Sequence, residues 1–117
     1  MTDLLKDLEA GPPSRELSDR VLLACGWRET EHGGWYPPGG SIARQNRPDP
    51  TRNLQDAVDW VVPEGWRWGR DQTGFVFVIQ ETWPETQDGP ITFGCGNEAT
   101  PVTNALCIAA LRAREER

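Results

Sequence analysis

The chain has 117 residues, enough apolar material for one hydrophobic core and too little for two, so we expect a single domain spanning residues 1–117. Twelve Lys and Arg against eighteen Asp and Glu give a net charge of −6. This charge argues against DNA or RNA as a partner, because such binding depends on neutralising phosphates. No apolar run approaches the roughly 20 residues that a membrane-spanning helix needs, and residues 1–7 lack a signal-peptide pattern. We therefore expect a cytoplasmic protein with no membrane partner.

The cysteine and histidine content argues against several chemistries. Cys25, Cys95 and Cys107 are odd in number and widely spaced, which disfavours a disulfide framework and favours a reducing compartment. Cys25 and Cys107 lie in apolar helical runs, so we expect both to be buried. His32 lies in a glycine-rich turn, without the ligand spacing of a zinc site. Catalysis by Cys95 with His32 as the base lacks an orienting motif. We therefore predict no metal, no cofactor and no enzymatic activity.

Two amphipathic helices open the chain. The first covers residues 2–9 and ends at Gly11-Pro12-Pro13. Ser14 is placed to cap a second helix over roughly residues 15–25, and Gly26 is placed to end it.

A non-helical segment and a third helix follow. Paired glycines and prolines make residues 33–40 rich in turns, and residues 41–50 are polar enough to predict an ordered loop or an edge strand. Asn53 resembles the cap of a helix over residues 54–62, whose apolar side chains recur at helical spacing.

The hydrophobic period then changes to that of strands. Residues 66–70 alternate aromatic with basic side chains, and residues 71–74 form a predicted turn. Residues 75–79 are β-prone throughout and predict a central strand, and residues 91–95 predict a third. Strands joined by short loops, with helices before and after them, predict an α+β fold: an antiparallel meander of three to four strands with helices on both faces, an α/β/α sandwich.

The last helix is apolar nearly all round. Thr100 is placed at its cap and Pro101 at its first helical position. Residues 105–111 contain no polar side chain, so we expect the sheet to cover one side of this helix and a second subunit the other. We therefore predict a homodimer or a larger homo-oligomer.

The junction before that helix is the most suggestive candidate for a ligand site. Gly96 would let the backbone approach a ligand, and Asn97 offers a donor and an acceptor to a base or a ribose. A helix N-terminus also attracts anions. A strand-to-helix turn with Thr100 as its cap explains the same residues without a ligand. Trp35 and Trp83, two of the six tryptophans, lie in turn-rich segments, where packing and ligand binding are both open.

Several segments together resemble the phage α/β/α ("ABA") sandwich family of small phage and prophage proteins. The resemblance covers nearly the whole chain, and the closing segment is its most specific part. The segments are Pro13 to Leu17, Gly26-Trp27, Trp35 to Gly40, Leu54 to Val58, Val62 to Trp66, Glu98 to Pro101 and Ala105 to Ala113.

The resemblance extends to Thoeris anti-defence proteins, which sequester cyclic ADP-ribose-type immune signals without cleaving them; some also bind cyclic oligonucleotides. It implies a small nucleotide signal as partner, bound in the bacterial host cytosol during phage infection. It further implies that Asn97 and Phe93 or Phe77 hold the base or ribose, and that Arg112 or Arg114 serves a second phosphate site at a subunit interface. The candidate ligand-binding residues are Asn97, Phe93, Phe77, Gly96, Thr100, Trp83, Trp35, Arg112 and Arg114.

Two other functions remain open from the sequence. An inhibitor acting by direct contact with a host defence enzyme, like an anti-CRISPR protein, is compatible with the acidic charge. An enzyme that cleaves the nucleotide could use Glu98 or Asp88 as a base, but a single carboxylate does not make a catalytic motif.

Overall fold

The computed structural model describes residues 2–95 and 100–115. In that part of the chain it has four helices and five strands. In chain order they are α1 (Thr2–Ala10), α2 (Arg15–Ala24), β1 (Arg28–Glu29), β2 (Trp35–Tyr36), α3 (Leu54–Trp60), β3 (Trp66–Arg70), β4 (Val76–Gln80), β5 (Thr92–Cys95) and α4 (Val102–Glu115).

Local sequence signals determine where the central helices begin and end. The side chain of Ser14 accepts a hydrogen bond from the Leu17 N–H, and that of Asn53 accepts one from the Asp56 N–H. Gly26, just after α2, has φ +100°, a conformation that L side chains rarely adopt. The predicted caps of α2 and α3 are thus confirmed, and the two helices end within two residues of their expected limits.

The segment between α2 and α3 is built on a small hairpin. β1 and β2 pair antiparallel, and Arg44 extends the pairing through backbone hydrogen bonds of 2.8 Å in both directions with Trp35. The expected turns and edge pairing are therefore present. The two strand residues of β2 lie within a segment whose paired glycines and prolines predict only turns.

Strands β3, β4 and β5 form the predicted antiparallel meander, with β4 in the centre. The α+β class is confirmed. Directly paired residues share a face, so the register assigns every side chain to one of two faces. We call the face of Val76, Val78, Phe93 and Cys95 the inner face; Val76, Val78 and Cys95 are buried there.

The opposite face, which we call the outer face, has a different composition. Phe75, just before β4, extends it because side chains alternate along a strand. Its residues are Arg67, Gly69, Phe75, Phe77, Ile79, Thr92 and Gly94. All of them are partly or fully exposed. Helix α4 packs on β4 and β5 from the inner side, so the predicted coverage of both faces by helices is not verified.

Helix α4 is the centre of the molecule. It packs on the sheet with one side and on α1 and α3 with others, and residues 104–111 are all buried. The expectation that a second subunit covers this helix is therefore corrected: the chain itself does so. The apolar sequence of α4 gives no argument for a homo-oligomer.

Buried polar contacts tie α1 to this central helix. The amide nitrogen of Asn104, which is fully buried, donates to the backbone oxygens of Leu8 and Gly11, each at 3.0 Å. The Leu8 carbonyl lies in the last turn of α1 and the Gly11 carbonyl directly follows the helix, where no further helical turn supplies N–H donors. Among the residues described, no helix is both long and apolar enough to cross a membrane.

Candidate functional site

The predicted junction site falls largely outside the described residues. Gly96, Asn97 and Glu98 lie in the gap between Cys95 and Thr100. Thr100 is buried, and its hydroxyl lies 3.4 Å from the Glu9 carbonyl oxygen at the end of α1. This contact gives Thr100 a role in packing.

The start of α4 differs by one residue from the prediction. The Ala105 N–H donates to the Pro101 oxygen at 2.8 Å, so Pro101 is the residue whose carbonyl accepts the first helical hydrogen bond. The helix itself begins at Val102. Pro101 therefore precedes the helix where the sequence placed it at the first helical position, and the cap shifts from Thr100 to Pro101.

The sheet separates the two candidate aromatic residues. Phe93 lies on the inner face, where its ring centroid is 5.9 Å from that of Trp66 and it packs on the core. Phe77 lies on the outer face and is partly exposed. The sequence left Phe93 and Phe77 as alternatives, and of the two only Phe77 faces away from the core.

Phe77 has an aromatic neighbour, Phe75, which is not among the candidate residues predicted from the sequence. The rings of Phe75 and Phe77 form an offset, nearly parallel pair, with centroids 6.3 Å apart and planes inclined by 23°. The Phe77 ring reaches over Gly69 of β3, where an added Cβ would lie 2.6 Å from its Cζ atom. The Phe75 ring reaches over Gly94 of β5, where an added Cβ would lie under 3.0 Å from three ring atoms.

The two glycines explain why both rings lie low on the sheet. A side chain at either position would occupy the space that the ring fills, so the rings pack directly on neighbouring backbone. The opposite side of each ring is then directed away from the sheet. The sequence contains the residues for this arrangement: a glycine in each of the flanking strands, β3 and β5, and a Phe-Val-Phe run at β4. Only the strand register shows that each ring lies on one of these glycines.

A rigid turn positions Phe75. The Asp71 carboxylate accepts hydrogen bonds from the Phe75 N–H at 3.0 Å and from the backbone and hydroxyl of Thr73. The Asp71 N–H in turn donates to the Phe75 oxygen. The pKa of Asp71 is lowered: the hydrogen bond from the Thr73 hydroxyl lowers it most, burial opposes this, and hydrogen bonds from backbone N–H groups of the turn lower it further.

The β3, β4 and β5 positions of the outer face include one charged side chain, and Asp71 lies beside Phe75 at the turn before β4. That charged side chain is Arg67 of β3, which lies opposite Ile79 of β4 in the strand register. It makes no salt bridge within the described part of the chain. The outer face therefore combines two aromatic rings with a guanidinium that has no salt-bridge partner in residues 2–95 and 100–115, on a chain whose net charge is −6.

The two arginines near the end of α4 have different surroundings. Arg114 donates to the backbone oxygens of Val61 at 2.7 Å and Trp60 at 3.0 Å, so its guanidinium satisfies the end of α3. Arg112 is exposed and donates to the Gly94 oxygen at 2.9 Å, which ties α4 to β5. The implied phosphate site would have to use Arg112, because Arg114 is committed to α3.

The two candidate tryptophans also differ. Trp35 is only 3% exposed, and the guanidinium carbon of Arg47 lies 4.9 Å from its ring centroid. Packing therefore accounts for Trp35. Trp83 is 44% exposed in the loop after β4, and it is the candidate tryptophan that offers a free ring.

The remaining chemically suggestive groups have structural surroundings. Cys25, Cys95 and Cys107 are buried. Burial raises the pKa of Cys25 to about 11 and also raises that of Cys107, so neither thiol is an activated nucleophile. His32 is exposed in a turn, as expected. No group of three or more potential metal ligands occurs among the described residues.

A charged cluster on α2 holds the loop before α3. Asp19 binds Arg47 through both carboxylate oxygens, at 2.7 and 2.9 Å, and also binds Arg15. Burial would raise the pKa of Asp19, but the hydrogen bonds and charges of Arg47 and Arg15 outweigh it and lower that pKa. Beneath them Ser18 and Thr51 are fully buried and hydrogen-bonded to each other, so this cluster is part of the scaffold.

An open cavity of about 340 Å³ lies between α1 and α2 and contains Asp7, Glu16 and Arg20. Arg20 is paired with Asp7 at 2.6 Å, so the cation of this cavity is already neutralised.

No family model, no curated protein and no solved structure matches this chain. The assignment of a function therefore depends on the geometry of the outer face and on the sequence resemblance.

Proposed function

We propose that this protein binds a small nucleotide immune signal and sequesters it without cleaving it, as a phage or prophage anti-defence protein. The signal is of the cyclic ADP-ribose type or a cyclic oligonucleotide. The binding surface is the outer face of the sheet, centred on Phe77.

The observation that carries the proposal is the pair of partly exposed rings, Phe75 and Phe77, on the same sheet face as Arg67, which makes no salt bridge among the described residues. Bases stack on aromatic rings with a gain of about 1–3 kcal/mol per base, and this gain does not depend strongly on base identity. Arg67 supplies a cation for a phosphate on the same face. The overall charge of −6 disfavours a long polyanion and leaves a small nucleotide as the better match.

The sequence resemblance supplies the biological context. The segments from Pro13 to Leu17 and from Ala105 to Ala113 resemble phage ABA sandwich proteins, and that likeness extends to signal-sequestering anti-defence proteins. Asn97 remains a candidate for hydrogen bonds to the ligand, since it follows β5, whose Gly94 lies under the Phe75 ring.

A calorimetric titration of the full chain tests the proposal. The panel contains cyclic ADP-ribose isomers and cyclic di- and trinucleotides. We expect at least one to bind the wild type, and Phe77→Leu to weaken that binding by about 1–3 kcal/mol, the contribution of one stacked base. Phe93→Leu is the matched control: it removes a ring from the inner face, so it should lower the melting temperature and leave binding by the folded protein unchanged.

The fate of the bound ligand separates sequestration from catalysis. The complex is heat-denatured and the supernatant is analysed for the nucleotide. Recovery of the intact ligand supports sequestration, and an altered ligand supports an enzyme. If no nucleotide of the panel binds, the proposal is wrong, and an inhibitor that contacts a host defence enzyme directly becomes the better hypothesis.

A further inference from the structure

We propose that the outer face holds two bases at once, one on Phe75 and one on Phe77, so that its ligand is a dinucleotide. This inference depends on the proposed function and goes further by naming the size of the ligand and a second binding residue, Phe75. The shared chemistry is two adjacent bases joined through phosphate, whether the molecule is linear or cyclic.

The arrangement of the rings carries the inference. The centroids of Phe75 and Phe77 are 6.3 Å apart and their planes differ by 23°, an offset arrangement in which neither ring fully covers the other. Each reaches over a glycine of a different neighbouring strand, Phe75 toward β5 and Phe77 toward β3. A sheet that presents aromatic rings in this way can stack one base on each ring.

Hydrogen bonds of the turn before β4 fix the backbone of Phe75. Its N–H is held by the Asp71 carboxylate at 3.0 Å, and its carbonyl oxygen accepts from the Asp71 N–H at the same distance. A ring whose backbone is already ordered loses less conformational entropy when a base stacks on it. The backbone that carries the Phe75 ring is therefore ordered before the ligand arrives.

Charge complementarity indicates where the phosphate lies. Arg67 is two residues from Gly69 on β3, and therefore about 7 Å along the strand from the backbone beneath the Phe77 ring. An extended arginine side chain spans that distance. A phosphate attached to the nucleotide on Phe77 would thus meet the Arg67 guanidinium, which has no salt-bridge partner in the described part of the chain.

The test compares ligands that have one base with ligands that have two. AMP and GMP are titrated against ApA, GpG, cyclic di-AMP and cyclic di-GMP by calorimetry on the full chain. We expect a two-base ligand to bind about fivefold tighter or more than its one-base counterpart, since even a weakly stacked second base contributes about that factor. Comparison of the linear and cyclic forms identifies the source of the dinucleotide.

Two variants isolate the second ring. Phe75→Leu removes the ring, and Gly94→Ala leaves it in the chain but displaces it, because the added Cβ would meet three of its atoms. Both should bring the affinity for the two-base ligand down to that for the one-base ligand, with one-base affinity retained. Gly89→Ala is the control, since its added Cβ has nothing within 4 Å.

The possible failures are distinguishable. Equal affinity for one-base and two-base ligands, or an equal loss of both in Phe75→Leu, overturns the two-base inference and leaves the proposed function standing. Binding of cyclic ADP-ribose with no binding of any two-base ligand likewise overturns the two-base inference and leaves the proposed function standing. If none of these nucleotides and no member of the cyclic ADP-ribose panel binds the wild type, both proposals are wrong.

Discussion

Replacing Asn104 by Asp tests whether α1 is anchored to α4 through a single buried amide. The substitution changes shape very little, but it replaces the NH₂ group that donates to the Leu8 and Gly11 oxygens, both at 3.0 Å. Asn104 is fully buried, and its own Oδ1 atom has no partner among the described residues. A carboxylate there would face two carbonyl oxygens with no donor.

The magnitude follows from these contacts. Two hydrogen bonds between neutral groups contribute about 0.5–1.5 kcal/mol each, so Asn104→Leu should lose about 1–3 kcal/mol of unfolding free energy. Asn104→Asp should lose about 3–5 kcal/mol at neutral pH, because an uncompensated buried charge costs that much. This loss is a large fraction of the roughly 5–15 kcal/mol typical of a folded domain.

Chemical denaturation at several pH values measures the effect. Burial raises the folded-state pKa of the introduced carboxyl above its unfolded value, so the stability of Asn104→Asp should increase as pH falls through that raised pKa. Asn46→Asp, at an exposed position, is the control and should stay within about 0.5 kcal/mol of the wild type. An Asn104→Asp midpoint equal to that of the wild type at neutral pH would refute the packing of α1 on α4.

Three further predictions concern the scaffold. Ser14→Ala removes the acceptor for the Leu17 N–H and should lower the unfolding free energy by about 1 kcal/mol in denaturant titrations. The pKa of Asp19 is lowered in the folded state, so its contribution to stability is present above its ordinary pKa of 3.8 and is lost as pH falls through the folded pKa. Asp19→Asn should flatten that part of the profile of unfolding free energy against pH. An unchanged profile would contradict the pairing with Arg47. Arg114→Lys cannot bond two carbonyls in the same fork geometry, so hydrogen exchange at the end of α3 should accelerate.

Most elements of the fold could be predicted from local sequence because their signals are local. Ser14 and Asn53 cap the helices that follow them, and Gly26 takes the positive φ angle expected after α2. The change from helical to alternating hydrophobicity at Trp66 correctly predicts the meander. These signals act over a few residues and need no knowledge of what packs where.

The arrangement of layers could not be predicted in the same way. An apolar stretch such as residues 105–111 indicates that a helix is covered, but it carries no information on what covers it. The answer depends on where α1 and α3 fold back, and the contacts of Asn104 with Leu8 and of Arg114 with Trp60 join residues more than fifty positions apart.

The candidate site shows the same limit. The sequence identified Phe77 and Phe93 as alternatives, and only the register between β4 and β5 places them on opposite faces. Phe75 gains its significance from Gly94, 19 positions later, through a contact across the sheet. Such pairings are properties of the assembled sheet, which periodicity along one strand does not encode.

The most direct test of the central claim is a calorimetric titration of the wild type and Phe77→Leu with cyclic ADP-ribose isomers and cyclic dinucleotides, followed by recovery of the ligand after heat denaturation. The account predicts that the wild type binds a member of this panel, that Phe77→Leu binds it more weakly while remaining folded, and that the nucleotide is recovered intact. Binding that is the same in Phe77→Leu and the wild type would contradict the outer face as the site. The absence of any binding by the wild type would contradict nucleotide sequestration itself.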